Sequence, residues 1–77
     1  MIRVNNTFIN PQYIITVDLE WKIRSNQKTG EVSLVFSVSR GQEVEVDRTD
    51  YFPSEAAAMS WYRKQLVEGQ FALGKVA

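Results

Sequence analysis

The stretch Tyr13-Ile14-Ile15-Thr16-Val17-Asp18-Leu19-Glu20-Trp21-Lys22-Ile23 decides the fold. Tyr13, Ile15, Val17, Leu19, Trp21 and Ile23 stand at alternate positions, and Thr16, Asp18, Glu20 and Lys22 stand between them. A period of two places the first set on one face of a strand and the second on the other. A helix would scatter the same apolar residues around its circumference. Ile14 alone breaks the alternation. The stretch therefore reads as a strand with its core face on odd numbers.

Downstream, Arg24-Ser25-Asn26-Gln27-Lys28-Thr29-Gly30 is polar and closes on glycine, which predicts a long hairpin loop. Val32, Leu34, Phe36 and Val38 then alternate with Glu31, Ser33, Val35 and Ser37, giving a second strand with its core face on even numbers. Arg40-Gly41-Gln42 reads as the next turn, and Val44 and Val46 alternate with Glu43, Glu45 and Asp47 in a third strand. The pattern predicts an antiparallel meander. Upstream, residues 1–4 and Thr7-Phe8-Ile9 flank Asn5-Asn6, a pair that tolerates the positive φ of a tight hairpin turn. Asn10-Pro11 breaks the chain before the long strand, because proline has no N–H to give to a ladder.

One helix follows. Ser54 can accept from the free N–H groups of a first turn, and Glu55 suits the positive end of the helix dipole. Ala58, Met59, Tyr62 and Leu66 share a face at helical spacing, Trp61 stands at its border, and Gly69 is a suitable stop. These elements define an α+β domain over residues 1–69 with an apolar tail over 70–77. The expected architecture is a curved antiparallel sheet of four or five strands, a half-barrel SH3-like or pleckstrin-homology-like in style, with the C-terminal helix across its open face.

The lengths do not match. A strand over residues 13–23 spans roughly 36 Å at about 3.3 Å per residue, whereas a helix over residues 55–68 covers roughly 21 Å. Either the sheet curls, or something besides the helix covers the rest of the apolar face.

Composition narrows the chemistry. A chain of 77 residues makes one small domain, which buries only about 60–65% of its unfolded surface. Small domains often add disulfides, a metal or a second copy. Cys and His are both absent, which removes disulfides, thiolate metal sites and the usual nucleophile–base pairs. The four glycines are isolated, so no glycine-rich loop cradles phosphate. Asp18, Glu20, Glu43, Glu45 and Asp47 read as a solvated outer face balanced by Lys22, Arg24 and Arg48, without calcium-loop spacing. The expectation is a protein that is not an enzyme and uses no cofactor or metal. Nine basic and nine acidic residues give zero net charge, without the basic field that nucleic acids or anionic membranes attract. No apolar run approaches a membrane span and no leader pattern opens the chain, so the cytoplasm is the expected compartment.

The opening segment Val4-Asn5-Asn6-Thr7-Phe8-Ile9-Asn10-Pro11-Gln12-Tyr13-Ile14 resembles small bacterial and phage proteins of the flagellar FlbD type. In those a short hairpin leads through an I-N-P-x-x-I step into a β-meander and a C-terminal helix. The resemblance implies a small accessory or regulatory protein and transfers no catalytic residue. The loop over residues 24–30 and the tail are longer than in that pattern.

Two functional expectations remain. The first is a protein-interaction module that binds itself as a homodimer or binds one protein partner, with Trp61, Phe71 and Leu73 as contact residues. The alternative, less favoured, is a nucleic-acid-binding accessory protein. It would use Lys22, Arg24, Lys28 and Arg40, which the sequence places near the first two loops, and the exposed side of the helix. Trp21 and Tyr13 are expected in the core, in register with the aliphatic residues around them.

Overall fold

The structure, a computed structural model, describes residues 1–76, with side chains described for residues 1–67. The fold is α+β, and among the described residues it has five strands in two antiparallel sheets, one helix and no closed barrel. Strands β1 (Ile2–Val4) and β2 (Thr7–Ile9) form a hairpin, with Val4 facing Thr7 across a turn in which Asn5 takes a φ of 54°. Strands β3 (Ile14–Arg24), β4 (Gln27–Arg40) and β5 (Glu43–Arg48) form the meander in the order β3-β4-β5. Helix α1 (Glu55–Val76) follows.

The core lies on one face of the meander. Val32, Leu34, Phe36 and Val38 of β4 are buried, as the even-numbered register predicts, and Val17, Leu19 and Trp21 of β3 pack against them. The pairs Val17–Phe36, Leu19–Leu34 and Trp21–Val32 place both sets on this face. The cover comes from two elements. The β1–β2 hairpin contributes Ile2, Val4 and Ile9, and the helix contributes buried Ala58 with Trp61, Tyr62 and Leu66 around it. The length mismatch is thus largely resolved inside the chain: the N-terminal hairpin covers sheet that the helix leaves open. The β3–β4 tip projects beyond both, and Ile23 there is 58% exposed.

Several expectations need correction. Ile14, the residue out of phase, is the one that packs on the core, facing Val38; a bulge between Ile14 and Thr16 leaves Ile15 exposed. Tyr13 belongs to a 3-10 turn (Pro11–Tyr13) and is exposed, not in the core register. Residues 24–30 form no long loop. Ser25 and Asn26, at φ 53° and 63°, make a two-residue turn with Arg24 facing Gln27, since two left-handed residues match the strand twist. The surplus length is absorbed in β4, where Trp21 faces Val32 but Ile23 faces Lys28, around Gly30 at φ 90°.

The faces of β5 are also reversed. Its register sets Asp47 against Phe36 and Glu45 against Val38, so its acidic residues share the core side of the sheet at its edge. Val44 and Val46 point the other way and are more than half exposed. Asp18 and Glu20 stay on the outer face as expected, opposite Val35 and Ser33.

The helix begins as its sequence predicts, with the Ala57 N–H donating to Ser54 Oγ at 3.1 Å. It continues past Gly69 to Val76. A helical glycine costs only about 1 kcal/mol relative to alanine, and no proline follows to enforce a stop. Among the described residues no helix is long and apolar enough to cross a membrane.

Candidate functional site

The end of the molecule away from the β3–β4 tip carries an open groove of about 550 Å³, lined by Met1, Phe8, Asn10, Tyr13, Val38 and Ser39 with Arg40 and Gly41 at its rim. Each wall has a local cause. Phe8 faces Arg3 across the β1–β2 pair, on the side away from buried Ile2, Val4 and Ile9. It is 60% exposed, with the Arg3 guanidinium 5.9 Å from its ring centre. Asn10 caps the 3-10 turn: its side chain accepts from the Gln12 N–H at 3.0 Å, and its carbonyl accepts from the Tyr13 N–H at 2.9 Å. Pro11 fixes φ at the turn's first position. These bonds swing Tyr13 out of line with β3 and beside Phe8. Arg40 is held at the rim by Glu45, whose Oε2 lies 2.7 Å from its Nε, with Asp47 Oδ2 at 3.9 Å.

A second, shallower groove of about 320 Å³ lies between the β1–β2 turn and residues 49–52. Asn5 ties its two sides by donating to the Arg48 carbonyl at 3.1 Å. Trp61 lines this groove but is half-buried and packs on Phe52, ring centres 5.5 Å apart. Its border position is therefore used within the fold. The side chains of Phe71 and Leu73, the other expected contacts, lie outside the described residues.

The four basic candidates do not form one surface. Lys22 lies on the outer face of β3, 3.5 Å from Glu31 and 5.4 Å from the Tyr51 ring centre. Lys28 sits over Trp21 at 4.4 Å, and Arg24 stands at the hairpin turn. Arg40 is at the far end of β4, a strand length of roughly 40 Å from Lys28, where carboxylates engage it. The two loops are at opposite ends of one long strand, so nearness in sequence order is not nearness in space.

Among the described residues no group of three or more carboxylate side chains could hold a metal ion. Sequence reasoning missed Met1, Phe8 and Tyr13 as a group. Asn-Pro before Tyr13 was the available signal, since it places that residue in a capped turn and not in the strand. No family model matches the chain, and neither a curated protein nor a solved structure matches it significantly.

Proposed function

We propose that the protein is a non-catalytic interaction module that takes an apolar segment of another protein into the groove between the β1–β2 hairpin and the end of β4. One observation carries this reading: Met1, Phe8 and Tyr13 are each at least half exposed and line the same groove. Large side chains left in water at one concave place suit a partner better than they suit the free monomer. Asn10 and Ser39 in the groove's lining offer hydrogen bonds to a bound main chain. Glu45 already occupies Arg40, so an apolar occupant suits the groove better than an anionic one. The accessory role implied by the FlbD-type resemblance agrees with this reading.

A photo-crosslinking residue at Tyr13 tests it in cells, with the same residue at exposed Val44 on the far side of the sheet as control. The expected result is a discrete protein adduct from position 13 only, lost when Phe8→Ser is added. Equal adducts from both positions, adducts removed by nuclease, or no effect of Phe8→Ser would overturn it.

A further inference from the structure

Strand β3 carries a charge pattern complementary to itself. On its outer face Asp18 and Glu20 precede, and Lys22 and Arg24 follow, a midpoint at Trp21. Among the described residues its second edge pairs with no strand. The strand is regular from Thr16 to Arg24, because the irregularity beside Trp21 is taken up in β4. We propose that a second copy of this chain adds to this edge, antiparallel, with the two Trp21 residues facing each other on a two-fold axis.

The register follows from the charges. With Trp21 on the axis, Asp18 faces Arg24 of the second copy and Glu20 faces its Lys22, each pair occurring twice. A slip of two residues either way, which keeps the core faces aligned, sets Glu20 or Lys22 against its own copy. Like charges directly opposite are destabilising, so the pattern selects one register. Asp18 and Arg24 form no ion pair among the described residues of the monomer. Glu20 and Lys22 already have partners within the monomer, Arg48 at 2.9 Å and Glu31 at 3.5 Å, so the Asp18–Arg24 pairs carry the register and the Glu20–Lys22 pairs add to it. On the other face the same register lays Ile23, exposed beyond the cover of helix and hairpin, against Leu19 of the second copy. The meander would then continue as a six-stranded sheet through the dimer. Strand β5, the other sheet edge, lacks this property. Glu43, Glu45 and Asp47 occupy one face there, so a second copy would meet acid with acid.

Charge exchange tests the register with single substitutions at the two unpaired positions, Asp18→Arg and Arg24→Asp. Sedimentation velocity of the wild type across a concentration series should show a monomer–dimer equilibrium. Each variant alone places like charges opposite each other twice and should raise the dimer Kd about tenfold or more. Mixed one to one, the two variants restore both pairs and should form a heterodimer near wild-type affinity. Unchanged far-UV circular dichroism of each variant separates lost pairing from lost folding. If either variant unfolds, Asp18→Asn and Arg24→Gln, each expected to weaken the dimer less, take its place. A wild type that stays monomeric up to its solubility limit overturns the proposal, as does a dimer indifferent to these substitutions or a mixture that fails to recover. The groove at Tyr13 lies outside this surface, so Phe8→Ser should leave the dimer Kd unchanged, and the two readings fail separately.

Discussion

The Ser33 hydroxyl donates to the Thr49 carbonyl at 2.7 Å, while the Thr49 side-chain oxygen accepts from the Leu34 N–H at 2.9 Å. Thr49 lies just past the end of β5, and its own N–H donates to the Leu34 carbonyl at 3.0 Å. This pair carries the ladder onward to Phe52, whose N–H and carbonyl both bond Val32. The chain is thereby led from the sheet edge to the start of the helix. Ser33 is buried although it lies among the polar residues of β4. Its hydroxyl has a partner, as buried polar groups require.

Thr49→Val keeps the side-chain shape and removes the acceptor, leaving the Leu34 N–H without its partner. An unsatisfied buried donor costs about 1–3 kcal/mol. Ser33→Ala removes only one neutral hydrogen bond, expected at about 1 kcal/mol. Urea unfolding of both variants should therefore rank Thr49→Val as the more damaging. The reverse order would show that water satisfies Leu34 once Thr49 is gone.

Phe36 is fully buried, and its ring centre lies 5.9 Å from that of Tyr62 on the helix. It joins the middle of the sheet to the helix in a domain with few buried residues to spare. Phe36→Ala should cost about 3–5 kcal/mol, a large part of the stability of a small domain. Circular dichroism at room temperature should then show a substantial unfolded population. A cooperative melt near the wild-type temperature would mean that the helix contributes little to the core.

The Ser25-Asn26 turn holds two non-glycine residues in the left-handed region. Such a turn prefers Asn followed by Gly, and the left-handed conformation costs other residues roughly 1–2 kcal/mol. The double substitution Ser25→Asn with Asn26→Gly should raise the thermal midpoint, because relief of left-handed strain, about 1 kcal/mol at a residue, outweighs the added chain entropy of the glycine. The reverse choice, Asn26→Val, should lower it. Equal midpoints for the two would show that the β3–β4 tip frays before the domain unfolds.

The strands, the hairpins and the single helix were legible because alternation and breakers are local signals. The 3.6 and 2.0 periods do not depend on what packs where. Tyr13 leaves the strand register because the Asn10-capped turn holds it, and Ile14 takes the core side because a bulge before Thr16 shifts the phase by one residue. The break in alternation at Ile14 is the one mark of that bulge in the sequence. The faces of β5 went wrong for a different reason. Val44 and Val46 are its only apolar residues, and apolarity alone points them to the core. The tight turn at Gly41 pairs Arg40 with Glu43, which forces even positions of β4 to face odd positions of β5. That parity was available in the sequence and outranks composition. Of the groove, only the turn that exposes Tyr13 has a local signature, in Asn10-Pro11. The approach of Phe8 and Met1 depends on where the β1–β2 hairpin docks, a tertiary fact that no local pattern records.

Asp47 is the clearest conflict left by that register. It faces Phe36 at the margin of the core, and among the described residues its Oδ2 is buried without a hydrogen bond, with the Arg40 guanidinium at 3.9 Å. Glu45 holds the same arginine at 2.7 Å, so Arg40 keeps a partner if Asp47 is removed. Replacing an unsatisfied polar group by an apolar one of similar size is neutral to stabilising, and valine also suits a strand opposite an aromatic residue. Asp47→Val should therefore raise stability by about 0.5–1 kcal/mol. Glu45→Ala should lower it slightly, since an exposed ion pair contributes about 0.2–1 kcal/mol. Chemical denaturation of the two variants at low and high salt separates the effects. The gain from Asp47→Val should persist in salt, whereas the loss from Glu45→Ala should shrink. A destabilised Asp47→Val variant would mean that the Arg40–Asp47 attraction outweighs the cost of the buried oxygen.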